Sequence, residues 1–242
     1  MPDPGPRVFV LTNDDGVDAP GMQALRQAAE GLGRCVVIAP RGPMSGCGHQ
    51  VTTHQPIEIE RRSTQCFAVA GTPVDCIRLA LHSLAPDACW VLSGINAGGN
   101  LGTDVYHSGT VAAVREAAIR GLPGIALSHY IARGRAIDWT RTAEWAGRLL
   151  RRLIMLPLEP GTFWNVNFPH SAPGGPEPGL VFCDLDPSPL PADFRFDGNQ
   201  AIYTGNYQAR LRRLGADVAV CFGGDISVTP VRAVEPAAQA ST

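Results

Sequence analysis

Arg7-Val8-Phe9-Val10-Leu11-Thr12-Asn13-Asp14-Asp15-Gly16 decides the fold. An apolar run rich in β formers breaks abruptly into a turn-prone polar cluster, which predicts a buried strand ending in a loop. Pro20 stands where a first helical residue belongs, and Met22, Leu25, Ala28, Ala29 and Leu32 follow at helical spacing until Gly33 ends the run. A second apolar run, Cys35-Val36-Val37-Ile38-Ala39, completes a strand–helix–strand unit.

The alternation continues outward from that unit. Thr72-Pro73 caps a helix bearing Val74, Ile77, Leu81 and Leu84, and Cys89-Trp90-Val91-Leu92 reads as a strand. A Gly/Asn-rich loop from Gly94 to His107 leads to a helix that opens at Ser108-Gly109-Thr110 and closes at Gly121, before the strand Gly124-Ile125-Ala126-Leu127. A further helix spans Asp138 to Met155. Apolar strands alternating with helices predict an α/β protein with a mainly parallel sheet covered on both faces. Past Pro160 the pattern changes to short β-like pieces: Phe163 to Phe168, Leu180-Val181-Phe182, Val218-Ala219-Val220, and Ile226 to Thr229. The Pro-, Gly- and Ser-rich stretch from Ser171 to Pro191 reads as a loop or mobile arm, and Ala237 to Thr242 as a frayed end.

The chain has 242 residues, one large domain or a core with a small appendage at about 100–200 residues per domain. All 20 basic residues are Arg, against 22 acidic ones, for a net charge of -2. With no lysine there is no side-chain amine for a Schiff base, a pyridoxal phosphate anchor or a P-loop. The scattered Arg residues form no stripe along which a phosphate backbone could run, so extended nucleic acid is not an expected partner. Met1 to Pro6 shows neither a basic n-region nor an apolar h-region, and no apolar run has the length of a membrane span. The expectation is a soluble, cytoplasmic protein without a membrane partner. The 7 cysteines include no C-x-x-C pair, so buried reduced thiols are expected rather than a zinc site or a disulfide framework. The 6 histidines show no zinc-binding spacing, and His107 reads as a surface residue.

Ligands of open α/β sheets sit at the carboxyl ends of the strands. There the sequence is unusually polar: Asn13, Asp14 and Asp15 after the first strand, Ser45 and Gly46 in the loop after the second, and Ser93-Gly94-Ile95-Asn96 after a later one. Adjacent carboxylates repel unless a cation or proton lies between them, and Mg²⁺ or Mn²⁺ prefers such oxygen ligands. Asp14, Asp15, Ser45 and Asn96 together make a candidate metal site; for the aspartates alone, a solvated turn with one Asp capping the next helix is the competing reading. Ser108-Gly109-Thr110 opens a helix, and a helix N-terminus attracts phosphate, although a plain Ser or Thr cap gives the same pattern.

These residues resemble the SurE family, the stationary-phase survival proteins that act as 5'/3'-nucleotidases. The resemblance rests on Thr12-Asn13-Asp14-Asp15-Gly16 with Ala19-Pro20-Gly21, Ala39-Pro40 with Ser45-Gly46, Gly71 to Cys76, Ser93 to Gly98 with Asn100-Leu101-Gly102, and Ser108 to Ala113. It covers residues 8–128 closely, and Asn165 to Pro169 and Asp217 to Pro230 more loosely. It implies a Rossmann-like three-layer α/β/α core over 1–160 and a smaller β-rich appendage or oligomerisation arm over 161–242, whose final strands return to the core. It also implies a homodimer or homotetramer. One divalent metal ion per subunit, Mg²⁺ or Mn²⁺ with Ca²⁺ possible in crystals, would be held by Asp14, Asp15, Ser45 and Asn96. The catalytic group would be Asp14, Asp15 and Asn96, and Asn13, Gly46, Asn100, Ser108, Gly109 and Thr110 would bind the substrate phosphate. The implied reaction is hydrolysis of nucleoside 5'- and 3'-monophosphates, and of short polyphosphate. Arg41 and His107 depart from the residues usual in that family.

Two rival enzyme readings fare less well on the residues. An aspartyl-phosphate phosphatase of the haloacid dehalogenase type needs carboxylates at i and i+2, whereas Gly16 occupies i+2 from Asp14. A dinucleotide-binding oxidoreductase needs G-x-G-x-x-G after the first strand. A non-catalytic metal-dependent module that senses nucleotide or phosphate uses the same residues, and phosphate release separates it from an enzyme.

Overall fold

The computed structural model of the protein describes residues 7–132, 135–172 and 174–234, so Met1 to Pro6 and Ala237 to Thr242 lie outside the described residues. In chain order the elements are β1 (Val8–Thr12), α1 (Pro20–Ala28), β2 (Arg34–Pro40), β3 (Ile59–Ser63), β4 (Cys66–Val69), α2 (Pro73–Leu79) and β5 (Trp90–Ala97). There follow α3 (Gly109–Ile119), β6 (Gly124–His129), α4 (Trp139–Leu153), β7 (Thr162–Phe168), β8 (Leu180–Phe182), β9 (Phe194–Asp197), β10 (Gln200–Tyr203), α5 (Asp217–Gly223) and β11 (Ile226–Arg232).

One sheet runs in the order β3-β4-β2-β1-β5-β6-β7-β11-β8, and β9 pairs with β10 in a separate hairpin. From β4 to β7 neighbours are parallel; β3 is antiparallel to β4, and β11 is antiparallel to β7 but parallel to β8. Alternation along β1 explains the three layers. Phe9 and Leu11 point into a core with Met22 and Leu25 of α1 and Leu149 and Leu150 of α4. Val8 and Val10 point into the opposite core with Ile77 of α2 and Val111 and Val114 of α3. A strand buried on both faces carries no polar side, which is why it reads as an unbroken apolar run.

The helix starts are specified locally. Pro20 opens α1, Asp138 accepts the Arg141 N–H at the start of α4, and Thr72 and Asp75 form a reciprocal capping box on α2.

Several elements differ from the sequence expectation. Val218-Ala219-Val220 is helical, within α5; Val218 and Cys221, three apart, are buried together against Leu101. Three consecutive apolar residues fit either period, and here tertiary packing selects the helix. Strand β5 runs on through Gly94 to Ala97 rather than ending at Leu92, with a register shift against β6 between Ser93 and Asn96. Thr162–Phe168 lies inside the main sheet between β6 and β7's partner β11, so the sheet continues across residue 160. Of the free cysteines, Cys76 and Cys221 are buried and Cys35, Cys47, Cys66, Cys89 and Cys183 are half-buried. Among the described residues no helix is long and apolar enough to cross a membrane.

Candidate active site

The carboxyl ends of β1 and β5 and the start of α3 converge on Asp14. Asn13 is fully buried, and its side chain donates to the Gly16 carbonyl at 2.9 Å and accepts the Gly16 N–H at 3.2 Å. This closed turn fixes the backbone that carries both aspartates. Asp14 is 4% exposed, and one of its carboxylate oxygens accepts a short hydrogen bond from the hydroxyl of Thr110. Burial raises the pKa of Asp14, the Thr110 hydrogen bond opposes that rise, and the neighbouring Asp15 adds to it.

Gly109 makes this approach possible. A Cβ there would lie 2.8 Å from the Asp14 Cβ, 3.0 Å from its Oδ2 and 2.9 Å from the Cys47 Sγ. The first turn of α3 therefore presses bare backbone against the carboxylate, where the unpaired N–H groups and the positive end of the helix favour negative charge.

Asp15 is half-buried and accepts the Ala97 N–H at 3.2 Å, which ties the β1 loop to the end of β5. The register shift after Ser93 sets Asn96 opposite Ser128. A Cβ on Gly94, at φ +138°, would fall 2.2 Å from the Leu127 carbonyl oxygen, so the bend accepts only glycine. Asn96 donates from Nδ2 to the Gly98 carbonyl at 2.8 Å, leaving its Oδ1 unengaged among the described residues.

The loop carrying Ser45 and Gly46 is tethered to both sides of the site: the Met44 N–H donates to the Asp14 carbonyl at 2.7 Å and the Gly48 N–H to the His107 carbonyl at 3.2 Å. Ser45 and Gly46 are exposed at its crest. Ser108 caps α3 by accepting the Val111 N–H at 3.0 Å, and His107 is exposed.

Thus Asp14, Asp15, Asn96, Gly109 and the tethered Ser45 loop come together. The side chains of Asn13, Asn100 and Thr110 turn inward instead. Asn100 donates to the Ser128 hydroxyl at 2.7 Å, and its N–H donates to Asn167 Oδ1 at 2.7 Å. Asn165 and Asn167 both donate back to the Asn100 carbonyl, at 2.8 and 3.1 Å. These two asparagines, alternating on β7, were not singled out from the sequence; polar residues at every second position of a strand buried on both faces are the signal that marks them. A second overlooked group holds the loop before α3: Asp104 accepts the Leu101 N–H at 3.0 Å and the Tyr207 hydroxyl at 2.5 Å. Asp217 accepts the Gly102 N–H at 2.7 Å and the Asp186 N–H at 2.8 Å.

Comparison with known proteins joins this geometry to a family. The sequence profile described as Survival protein SurE matches residues 9–185. The chain belongs to the SurE family. It is 55% identical over 224 residues to a protein of Nostoc sp., covering 93% of this chain and 99% of that one. It is 44% identical over 239 residues to a protein of Geotalea daltonii named 5'-nucleotidase SurE, covering 92% of each. The crystal structure of the SurE protein from Aquifex aeolicus superposes with a TM-score of 0.83 at 30% identity, covering 95% of both chains. The Rossmann-like α/β fold is shared with that structure.

Proposed function

We propose that the protein is a metal-dependent phosphomonoesterase that hydrolyses nucleoside 5'- and 3'-monophosphates, and short polyphosphate, to release phosphate. The observation that carries this reading is the apposition of Asp14 to the first turn of α3. A buried carboxylate, a second carboxylate beside it and a helix N-terminus together favour one arrangement: a cation on the aspartates and a phosphate facing both the cation and the helix.

The donor set fits a hard divalent ion. Asp14 and Asp15 supply carboxylate oxygens, and Asn96 Oδ1 and the Ser45 hydroxyl supply neutral ones, with no thiolate or imidazole in the set. These four residues would hold Mg²⁺ or Mn²⁺. When bound, such an ion polarises a phosphoryl oxygen and lowers the pKa of a coordinated water. Thr110 holds Asp14 in one orientation, the Asp15 bond to Ala97 keeps the two strand ends in register, and the Ser45 loop covers the helix start. The names carried by the relatives, 5'-nucleotidase SurE, support the substrate class.

The same reading takes a homodimer or homotetramer joined through the arm that carries β9 and β10, supported by the exposure of Phe196 on β9, 76%, and of Leu214 in the segment between β10 and α5, 96%. A cytoplasmic location belongs to it as well.

The test is phosphate release from AMP, 3'-AMP and an aryl phosphate, with protein stripped by EDTA and resupplied with Mg²⁺ or Mn²⁺. Release should vanish with EDTA and return with metal, and Asp14→Asn should abolish it while the folded far-UV spectrum persists. Nucleotide binding with no release under either metal would instead identify a sensing module.

A further inference from the structure

A cavity of about 370 Å³ opens at the carboxyl end of β6, lined by His129, Arg135, Asp138, Arg141, Trp145 and His170 among others. That volume falls in the range of small-molecule sites, about 300–1,000 Å³. None of these residues belongs to the oxygen cluster around Asp14, yet the two sites adjoin. His129 pairs in register with Ala97, whose N–H binds Asp15. With neighbouring strands roughly 4.8 Å apart, β6 lies two spacings, about 10 Å, from β1. That is the scale on which a nucleoside monophosphate separates its base from its phosphate. A hollow touching Asp15, Ala97 and Trp139 shares Arg135 and Ala136 with the cavity and borders both sites.

The proton inventory of His129 defines what the cavity can bind. His129 is 4% exposed, and its Nδ1 lies 3.0 Å from the Thr142 hydroxyl. That hydroxyl gives its single proton to the Asp138 carbonyl, at 2.7 Å, so toward His129 it can only accept. With the hydroxyl proton on the Asp138 carbonyl, the assigned tautomer has the ring proton on Nδ1 and an acceptor lone pair on Nε2, which meets no hydrogen-bond partner among the described residues. Burial first, and the nearby His170 second, push the His129 pKa down to about 4, so the ring stays neutral at physiological pH.

The surroundings are flat and aromatic. Trp145 lies nearly parallel to His129, with centroids 6.4 Å apart and planes 10° from parallel, while its Nε1 donates to Glu177. His170 meets His129 edge-on at 5.4 Å, and its Nδ1 accepts the Ala132 N–H at 3.1 Å, which leaves the proton of His170 on Nε2. Arg141 is not available to an anion: it stacks over Trp145 at 4.7 Å and donates to the carbonyls of Gly175 and Pro176 at 2.7 and 3.1 Å. An acceptor on His129, a donor on His170 and the π surface of Trp145 complement an aminated heteroaromatic ring, while Arg135, exposed at the rim and shared with the hollow beside Asp15, stands on the side toward the phosphate.

Resting on the nucleotidase reading, we infer that this cavity is the nucleobase subsite, and that His129 Nε2 selects bases presenting an exocyclic amine, adenine or cytosine, over bases presenting a carbonyl oxygen at that edge. A site built to hydrogen-bond one group discriminates strongly against an analogue lacking it.

Two measurements test the inference. The first is kcat/KM for AMP, IMP and an aryl phosphate in the wild type, in His129→Phe, which keeps a ring but removes the acceptor, and in Ala136→Trp, which fills the cavity mouth from an exposed position. The wild type should prefer AMP over IMP by about tenfold or more, and His129→Phe should bring that preference close to unity. Both variants should lower the ratio of AMP to aryl phosphate turnover about tenfold. The second is calorimetric binding of adenosine, which needs no catalysis and should weaken about tenfold in both variants. Adenosine binding and an AMP to IMP ratio untouched by either variant would overturn the inference even while phosphate release continued. Absence of phosphate release, with adenosine binding that both variants weaken, would retire the nucleotidase reading and leave the base site standing.

Discussion

Arg210 and Asp104 form a buried ion pair across a sequence gap of 106 residues: the Arg210 Nη1 lies 3.0 and 2.9 Å from the two carboxylate oxygens, and the Arg210 side chain has no exposure. The same aspartate takes the Leu101 N–H and the Tyr207 hydroxyl, and its carbonyl takes the N–H groups of His107 and Ser108. The segment after β10 therefore grips the loop that feeds the start of α3.

Removing one member of this pair leaves a charge buried and uncompensated. Arg210→Met should lower the unfolding free energy by about 3–5 kcal/mol in urea denaturation, and the double variant Arg210→Met/Asp104→Asn should regain more than half of that loss. A single-variant loss below about 1 kcal/mol would mean that the pair behaves as a solvated one.

Gly109→Ala places a methyl group against the Asp14 carboxylate. Phosphate release should fall about 100-fold, as expected for a displacement of the order of an ångström at a reacting centre. Far-UV circular dichroism should be unchanged, since alanine suits a helix's first turn. Turnover close to that of the wild type would show that Asp14 has room to move.

Thr110→Val retains the shape of the side chain but deletes the donor to Asp14. Mn²⁺ affinity, read by titration of the EDTA-stripped protein, should weaken about tenfold, a hydrogen bond to a charged group being worth about 1.5–3 kcal/mol. Thr110→Ser keeps the hydroxyl and should restore it; equal weakening in the two variants would point to packing instead.

Acid should expose the cost of charging His129. Its folded pKa lies below the ordinary imidazole value of 6.5, at about 4, so the neutral ring's contribution is present above pH 6.5 and is lost as the pH falls toward 4. Asp217 has the opposite sign: burial raises it to about 6, so its contribution is lost as the pH climbs from 3.8 toward 6. The two overlap, and the difference between the wild type and His129→Phe isolates the histidine. Between pH 7 and pH 4.5 the wild type should lose about 2 kcal/mol more than the variant by urea denaturation. Parallel curves would contradict a buried neutral His129.

The arm offers a simple test of assembly. Phe196→Ser combined with Leu214→Ser should halve or quarter the mass seen by light scattering, because both side chains stand exposed in the single chain. An unchanged mass would locate the interface elsewhere.

How much of this was legible beforehand follows from where each signal resides. The β1–α1–β2 unit is visible because burial on both faces demands an unbroken apolar run, and Pro20 marks the helix start. The β3–β4 hairpin is not, since β3 is an exposed edge strand carrying Glu60, Arg61 and Arg62, charges that protect an edge and hide the strand. The β9–β10 hairpin is likewise exposed on both faces, so no apolar side betrays it. Asp14, Asp15 and Asn96 were accessible from their positions at strand ends. The turn of Thr110 toward Asp14 was not, because a hydroxyl in a first helical turn reads the same whether it caps, binds phosphate or supports a neighbour. Arg210 and Asp104 were invisible for a different reason: nothing local records a partner on the far side of the fold.

Strand β11 is the last of the described strands in sequence, yet it is an interior one, and β8 joins the sheet only through it. During synthesis, therefore, the ribosome releases β8, which ends at Phe182, well before β11, which starts at Ile226 and is the strand it must pair with. Until Ile226–Arg232 emerges, β7 presents an open edge and the stretch around Leu180–Phe182 has nowhere to dock. Because nascent chains grow at about 5–20 residues per second, that edge stands unprotected for seconds, and a chain stalled short of β11 is the form most exposed to aggregation and to chaperone capture.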